Sequence, residues 1–259
     1  MKTGGLRAHS CSFHLKSIGW VAAGLLAVVT MAPVAAQEGG LPPWLDVVVL
    51  QVEGGQAAAF EDLLKDFMEA RQAAGLPAGQ VFQVVIGHPN EYHLVTPVQS
   101  ITESETTPIP MAEADAALWI ARITDKIDSV RFSYAVTFPE HSVQAPANAP
   151  DANMMVLRKI VVASGRQADY ESWVADQYMP AFRQTDPLGH TMSHSIYGDS
   201  MRNYYHAYPL AGWEDLGTPD PLIEILGQRR YDQVFEAIDG IVVEHEMIVA
   251  RMRTDLMAQ

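Results

Sequence analysis

The residues from Trp44 to about His141 and those from Met154 to about Asp255 carry the same order of strand-like and helix-like segments, so this chain must build one fold unit twice. In the first copy a β-rich run, Trp44 to Val52 (WLDVVVLQV), leads through Gly54-Gly55 into a segment from about Ala57 to Ala74. There Phe60, Leu63, Leu64, Phe67 and Met68 recur at i, i+3, i+4, i+7 and i+8, which predicts one apolar helix face. Moving on by 110 residues gives Tyr170, Trp173, Val174, Gln177 and Tyr178, behind a strand from Met155 to Ala163. Only Gln177 breaks the apolar face.

The later segments repeat as well. Gln80 to Ile86 and Tyr92 to Val98 flank Gly87-His88-Pro89-Asn90, a hairpin signal; His190 to Tyr197 and Tyr204 to Leu210 flank Gly198-Asp199-Ser200-Met201 in the same order. At an offset of 111, Ile120, Ile123, Ile127 and Asp128 fall on Tyr231, Val234, Ile238 and Asp239, and closing strands follow at Val130 to Phe138 and Val242 to Met252. Each copy therefore reads β-α-β-β-α-β, the split βαβ pattern of ferredoxin-like units. A four-stranded sheet with both helices on one face leaves the other face bare, and two units in one chain can cover each other. The expected fold is α+β: two tandem ferredoxin-like units packed sheet to sheet as an intrachain barrel. The expected boundaries are 37–138 and 154–259, with a Pro-, Ala- and Asn-rich linker at 139–153.

Residues 1–36 read as a secretory signal peptide. Lys2, Arg7 and Lys16 give a basic start, Ile18 to Ala32 form an uncharged apolar run, and Val34-Ala35-Ala36 is a small-residue cleavage site before Gln37. The whole chain has 17 basic and 31 acidic residues; losing the leader removes three of the basic ones and leaves a charge of −17. Such a surface repels nucleic acid and anionic lipid. The single cysteine, Cys11, leaves too, so the mature chain has no thiol chemistry and a periplasmic or secreted location is expected.

Two such units meeting through their sheets resemble the dimeric α/β-barrel superfamily in a fused form. That superfamily includes antibiotic-biosynthesis-type monooxygenases, muconolactone isomerases, chlorite dismutases, dye-decolourising peroxidases and NIPSNAP-like proteins. The resemblance implies a ligand between sheet and helices or at the barrel mouth, with haem on a histidine axial ligand in some members. It selects no single member, and fold alone carries no function.

Candidate site residues concentrate where the copies differ. Alternation places His190, Met192, His194 and Ile196 on one face of a strand, and Tyr204, His206 and Tyr208 on one face of the next. A three-residue loop at Asp199, Ser200 and Met201 would set His194 opposite His206 and Met192 opposite Tyr208. His194, His206 and Tyr204 are then the candidate acid, base or hydrogen-bonding groups. His190, Met192, Tyr208, Gln177 and Trp213 are candidate ligand contacts, with Arg158 and His245 from the strands expected at the centre. Of Arg158, Lys159, Glu244, His245 and Glu246, one set should face the barrel interior and form an Arg/Glu pair there. The same aromatics and histidines would equally pack a half-buried strand. His88 and His93 read as ordinary turn and strand positions. His190 and His194 stand about 13 Å apart along a strand, too far to share an ion, and no HExxH, cysteine ligand or compact acidic cluster is present, so no metal is expected. The long connections Ser100 to Glu113 and Gly212 to Leu222 are lid-like, and Pro180 should kink its helix.

Three functions fit these residues. One is an exported barrel that binds, and in an enzymatic form transforms, a small largely apolar molecule without a metal. A second is a haem-binding barrel. A third is a non-catalytic barrel that assembles with itself or a partner.

Overall fold

Every strand edge in the barrel finds a partner. The computed structural model describes residues 42–76, 79–102, 110–146, 152–185, 187–217 and 220–257; the leader expected at 1–36 lies outside them, as do the middle of the 100–113 connection and part of the linker. The strands are β1 (Trp44–Val52), β2 (Gln80–Ile86), β3 (Glu91–Val98), β4 (Ile127–Thr137), β5 (Met154–Val162), β6 (Thr191–Tyr197), β7 (Asn203–Leu210) and β8 (Val242–Met252). They form a closed antiparallel barrel in the order β1-β3-β2-β8-β5-β7-β6-β4. Helices α1 (Ala57–Ala73) and α2 (Glu113–Thr124) cover the first four strands outside. Helices α3 (Gln167–Trp173), α4 (Met179–Phe182), α5 (Pro221–Leu226) and α6 (Gln228–Glu236) accompany the second four.

Two seams close the ring: β2 on β8, from Phe82 opposite Met252 to Ile86 opposite Val249, and β4 on β6, from Tyr134 opposite Tyr197 to Thr137 opposite Ser193. The fourth strand of each copy, which a lone four-stranded sheet of this kind would leave at an edge, is thus hydrogen-bonded on both sides. Closure satisfies backbone groups that an open edge would leave to other chains. Part of the linker joins in as well, with Val143 and His190 exchanging backbone hydrogen bonds of 2.8 Å.

Strand β1 shows why both faces are apolar. Asp46, Val48, Leu50 and Val52 are buried beneath α1, whereas Leu45, Val47 and Val49 point into the barrel. Under the first pair of helices the core is Phe60, Leu63, Leu64, Phe67, Trp119 and Ile123 around Leu50 and Val81; under the second it is aromatic, with Tyr170, Trp173, Tyr178, Phe182 and Tyr204. One polar contact is duplicated with the fold. Tyr92 donates to Glu61 and Tyr204 to Glu171, each at 2.5 Å, pinning a strand to the first helix of each copy.

The kink expected at Pro180 takes a particular form. Between α3 and α4, Val174–Tyr178 is a π-turn, and the Met179 N–H reaches back five residues to the Val174 carbonyl. Pro180 has no N–H to give an α-helical bond, and the wider turn absorbs that loss without ending the helix.

Gly198 starts the β6–β7 connection with φ +81°, and a Cβ there would run into the Phe132 carbonyl of β4. Gly198→Ala is expected to cost upward of about 2 kcal/mol through positive φ and this clash, read as a lowered urea midpoint at unchanged slope.

Candidate functional site

The inward side chains leave a cavity of about 760 Å³ inside the barrel, lined by residues from all eight strands. Volumes of about 300–1,000 Å³ are typical for small-molecule sites. The two hairpin connections, 87–90 and 198–202, lie at the same end because β1 and β5 run in the same direction around the ring. That end is polar. Val49 pairs with His93 and Arg131 across its neighbours, and the equivalent Lys159 pairs with Tyr205 and Glu246, so these six side chains form one inward layer. The opposite end is mainly apolar, with Leu45, Val95, Pro97, Met155 and Ala207, relieved by Gln80, Thr137 and Thr191.

The carboxylates of the polar end are engaged. Buried Glu91 accepts from Arg131 at 3.1 Å and hydrogen-bonds His93 Nε2 at 2.7 Å. Burial pushes its carboxyl up, but His93 and Arg131 outweigh that and leave it below the ordinary range. Asp199 accepts from Tyr205, and from the Ser200 N–H at 2.8 Å; burial raises it, and these bonds together with the charge of Lys159 bring it down. Glu246 hydrogen-bonds His88 at 2.5 Å.

A second polar group lies on the other side of the sheet, beneath α3 and α4. His190 Nε2 is 2.9 Å from His206 Nδ1, and His206 Nε2 is 2.7 Å from the Tyr170 hydroxyl. The Tyr178 and Tyr208 hydroxyls are 2.8 Å apart, and the Arg158 guanidinium stacks over Tyr208, 5.3 Å from its ring centroid. Burial drives His190 down to about 3 and His206 well below the ordinary imidazole value, with nearby Arg158 acting in the same direction. Burial likewise raises Tyr170 and Tyr178, and Tyr208 to about 12. The imidazoles and phenols of this group are held neutral and packed around the charged Arg158 guanidinium.

The strand pairing differs from expectation by two residues: His194 lies opposite Tyr204, and Met192 opposite His206. The connection has five residues, Gly198 to Arg202, rather than three. A two-residue shift keeps every side chain on its face, so His190, Met192, Tyr204, His206 and Tyr208 still share the helix side. His194 stacks on Tyr204 with ring centroids 4.3 Å apart, its Nε2 bonded to the Met201 carbonyl. Arg158 faces the helices, 4.0 Å from Asp220, and it is Lys159 and Glu246 that face the interior, correcting the expected Arg/Glu pair. Gln177 sits half-buried in the π-turn, Trp213 is 49 % exposed, and His245 is exposed on β8. None of the ten predicted site residues lines the cavity. Those that do and were read as ordinary, above all His93, share a face with Glu91 by simple alternation; the missing information was which face is the lumen.

No family model matches the sequence, and no curated protein matches it. Solved structures do. A candidate monooxygenase from Fusobacterium nucleatum aligns at TM-score 0.55 and 8% identity over 82% of this chain and 93% of its own. One from Lactobacillus acidophilus aligns at 0.53 and 11% over 82% and 94%, and an anthrone oxidase-like protein at 0.53 and 10% over 81% and 90%. The fold is that of the dimeric α/β barrels. At these identities the likeness covers architecture and leaves the chemistry to the residues.

The neutral histidines make a pH signature. A histidine held at about 3 when folded and near 6.5 when unfolded means that the unfolded chain binds more protons between those values, so stability falls as pH drops through that window. The expected loss between pH 7 and pH 5 from His190 is about 2 kcal/mol. Urea unfolding at the two pH values checks it, and His190→Gln or His206→Gln should flatten the difference.

Proposed function

We propose that this protein binds a small, largely apolar molecule inside its barrel. One observation carries the reading: a space of about 760 Å³ inside the barrel whose charged groups gather at one end and whose other end is mainly apolar. An interior kept for packing alone would fill with side chains, as small barrels do. What the residues can do follows from their bonds. Arg131 and Lys159 supply donors, and the Glu91–His93 pair is a buried carboxylate–imidazole couple able to hold or move a proton beside the ligand. The monooxygenase and oxidase descriptions of the structural neighbours supply no reaction for these residues, and binding is the part of the reading that geometry supports.

Haem, which the resemblance leaves open, fits these residues poorly. His88, His93, His190 and His206 all have Nε2 engaged by a carboxylate, a phenol or another imidazole, and His194 by a backbone carbonyl, while His141 and His245 lie outside the cavity lining. A Soret band in purified protein would overturn this reading.

A second reading keeps acid–base chemistry on the helix side, at His194, His206 and Tyr204. It is favoured by the π-turn at Val174–Tyr178, a distortion often found at functional sites, directly above the His190–His206–Tyr170 chain. Export belongs to the proposal too: the mature protein should start at Gln37, as N-terminal sequencing of secreted material would show.

The two locations separate experimentally. Fluorescence titration with N-phenyl-1-naphthylamine, a neutral apolar probe, should saturate in the native chain. Ala207→Trp, on the lumen wall, should weaken binding at least tenfold, whereas His206→Gln should leave it within about twofold. The reverse order would move the ligand to the helix side.

A further inference from the structure

Resting on the barrel-cavity reading, the geometry points to a ligand class: we infer that the lumen takes an amphiphile with one acidic head group, seated at Lys159 with its apolar body toward Leu45, Pro97 and Met155. The cavity has polar and apolar ends, which suits an amphiphile rather than a uniformly apolar guest. The sign of the head follows from which charged groups at the polar end already have hydrogen-bonding partners. Glu91 is held by His93 and Arg131, Asp199 by Tyr205 and the Ser200 N–H, and Glu246 by His88. The Arg131 guanidinium spends one arm on Glu91. Lys159 is different. Among the described residues its ammonium makes no hydrogen bond or ion pair, and its link to Asp199 is a longer-range attraction. Its cross-strand neighbour Glu246 turns to His88 instead.

An ammonium with three donors in a walled space is the group that gains most from an incoming carboxylate. The protein's overall charge of −14 repels such a ligand at long range, so the attraction must be local. Fields from the exposed acids are screened over about 8 Å at physiological ionic strength, whereas a pair inside the barrel is screened far less. Ser193 and Thr191, on the lumen face of β6, offer neutral hydroxyls beside the same space. Thr137, at the far end, gives its hydroxyl to the Pro42 carbonyl and competes little for the head.

The experiment measures displacement of N-phenyl-1-naphthylamine by dodecanoate, dodecanol and dodecyltrimethylammonium at pH 7.5, on the native chain and on Lys159→Met and Lys159→Arg. Dodecanoate should displace the probe at concentrations at least tenfold lower than dodecanol. Lys159→Met should remove that preference by weakening dodecanoate at least tenfold more than dodecanol, and Lys159→Arg should keep most of it. Equal potency of dodecanoate and dodecanol, or tighter binding of the cationic chain to the three carboxylates, overturns the assignment of the head while leaving the cavity reading intact. If the probe itself binds Ala207→Trp as well as it binds the native chain, the cavity reading fails first.

Discussion

The hydrogen-bonded seams β2–β8 and β4–β6 are the constraint on which everything else depends. A four-stranded sheet with helices on one face has two unpaired edges and one bare face, and neither problem has a local solution. Joining the edges of two such sheets answers both, because the bare faces then enclose each other. The enclosure creates a volume that the side chains do not fill. That is the physical origin of the cavity, and it explains why Leu45, Val47 and Val49 of β1 are apolar although no helix touches them.

The two polar groups of this molecule are different in kind. Beneath α3 and α4, histidines and tyrosines satisfy one another, stack, and sit in an aromatic core; their neutrality is a consequence of burial. Inside the barrel, the polar groups face a space. There the carboxylates are satisfied and still border room for a guest, a combination that packing alone does not require. Helix-side residues specify how the second copy packs, and lumen residues specify what the barrel can hold.

Much of the architecture was legible in the residues. The span of β1 and that of β8 match their expected limits, and the apolar stripe of α1 is buried as its spacing implies. Local periodicity and turn chemistry carry that much. The β6–β7 register lies two residues from the expected one, in a hairpin that also pairs with β4, a contact distant in sequence. The site was harder still. On β1 both faces are apolar, and on β3 Glu91 and His93 differ from their neighbours only by belonging to the lumen, which becomes visible after the ring closes. Differences in residue type between the copies are marked on the helix side, where Leu94 and Thr96 of the first copy correspond to His206 and Tyr208 of the second. The lumen instead draws on both copies at once.

Closure of two copies around an axis parallel to the barrel sets equivalent positions across from each other. Identical halves would present every guest with two indistinguishable seats, and a guest without matching symmetry would bind in two orientations with equal population. Here Val49 stands across from Lys159, His93 from Tyr205, and Arg131 from Glu246. Holding both halves in one polypeptide lets each position be chosen separately, so the lumen has a left and a right as well as a top and a bottom. A molecule entering it would meet two unlike walls, with the Lys159 ammonium on one side and the Val49 side chain at the equivalent place on the other.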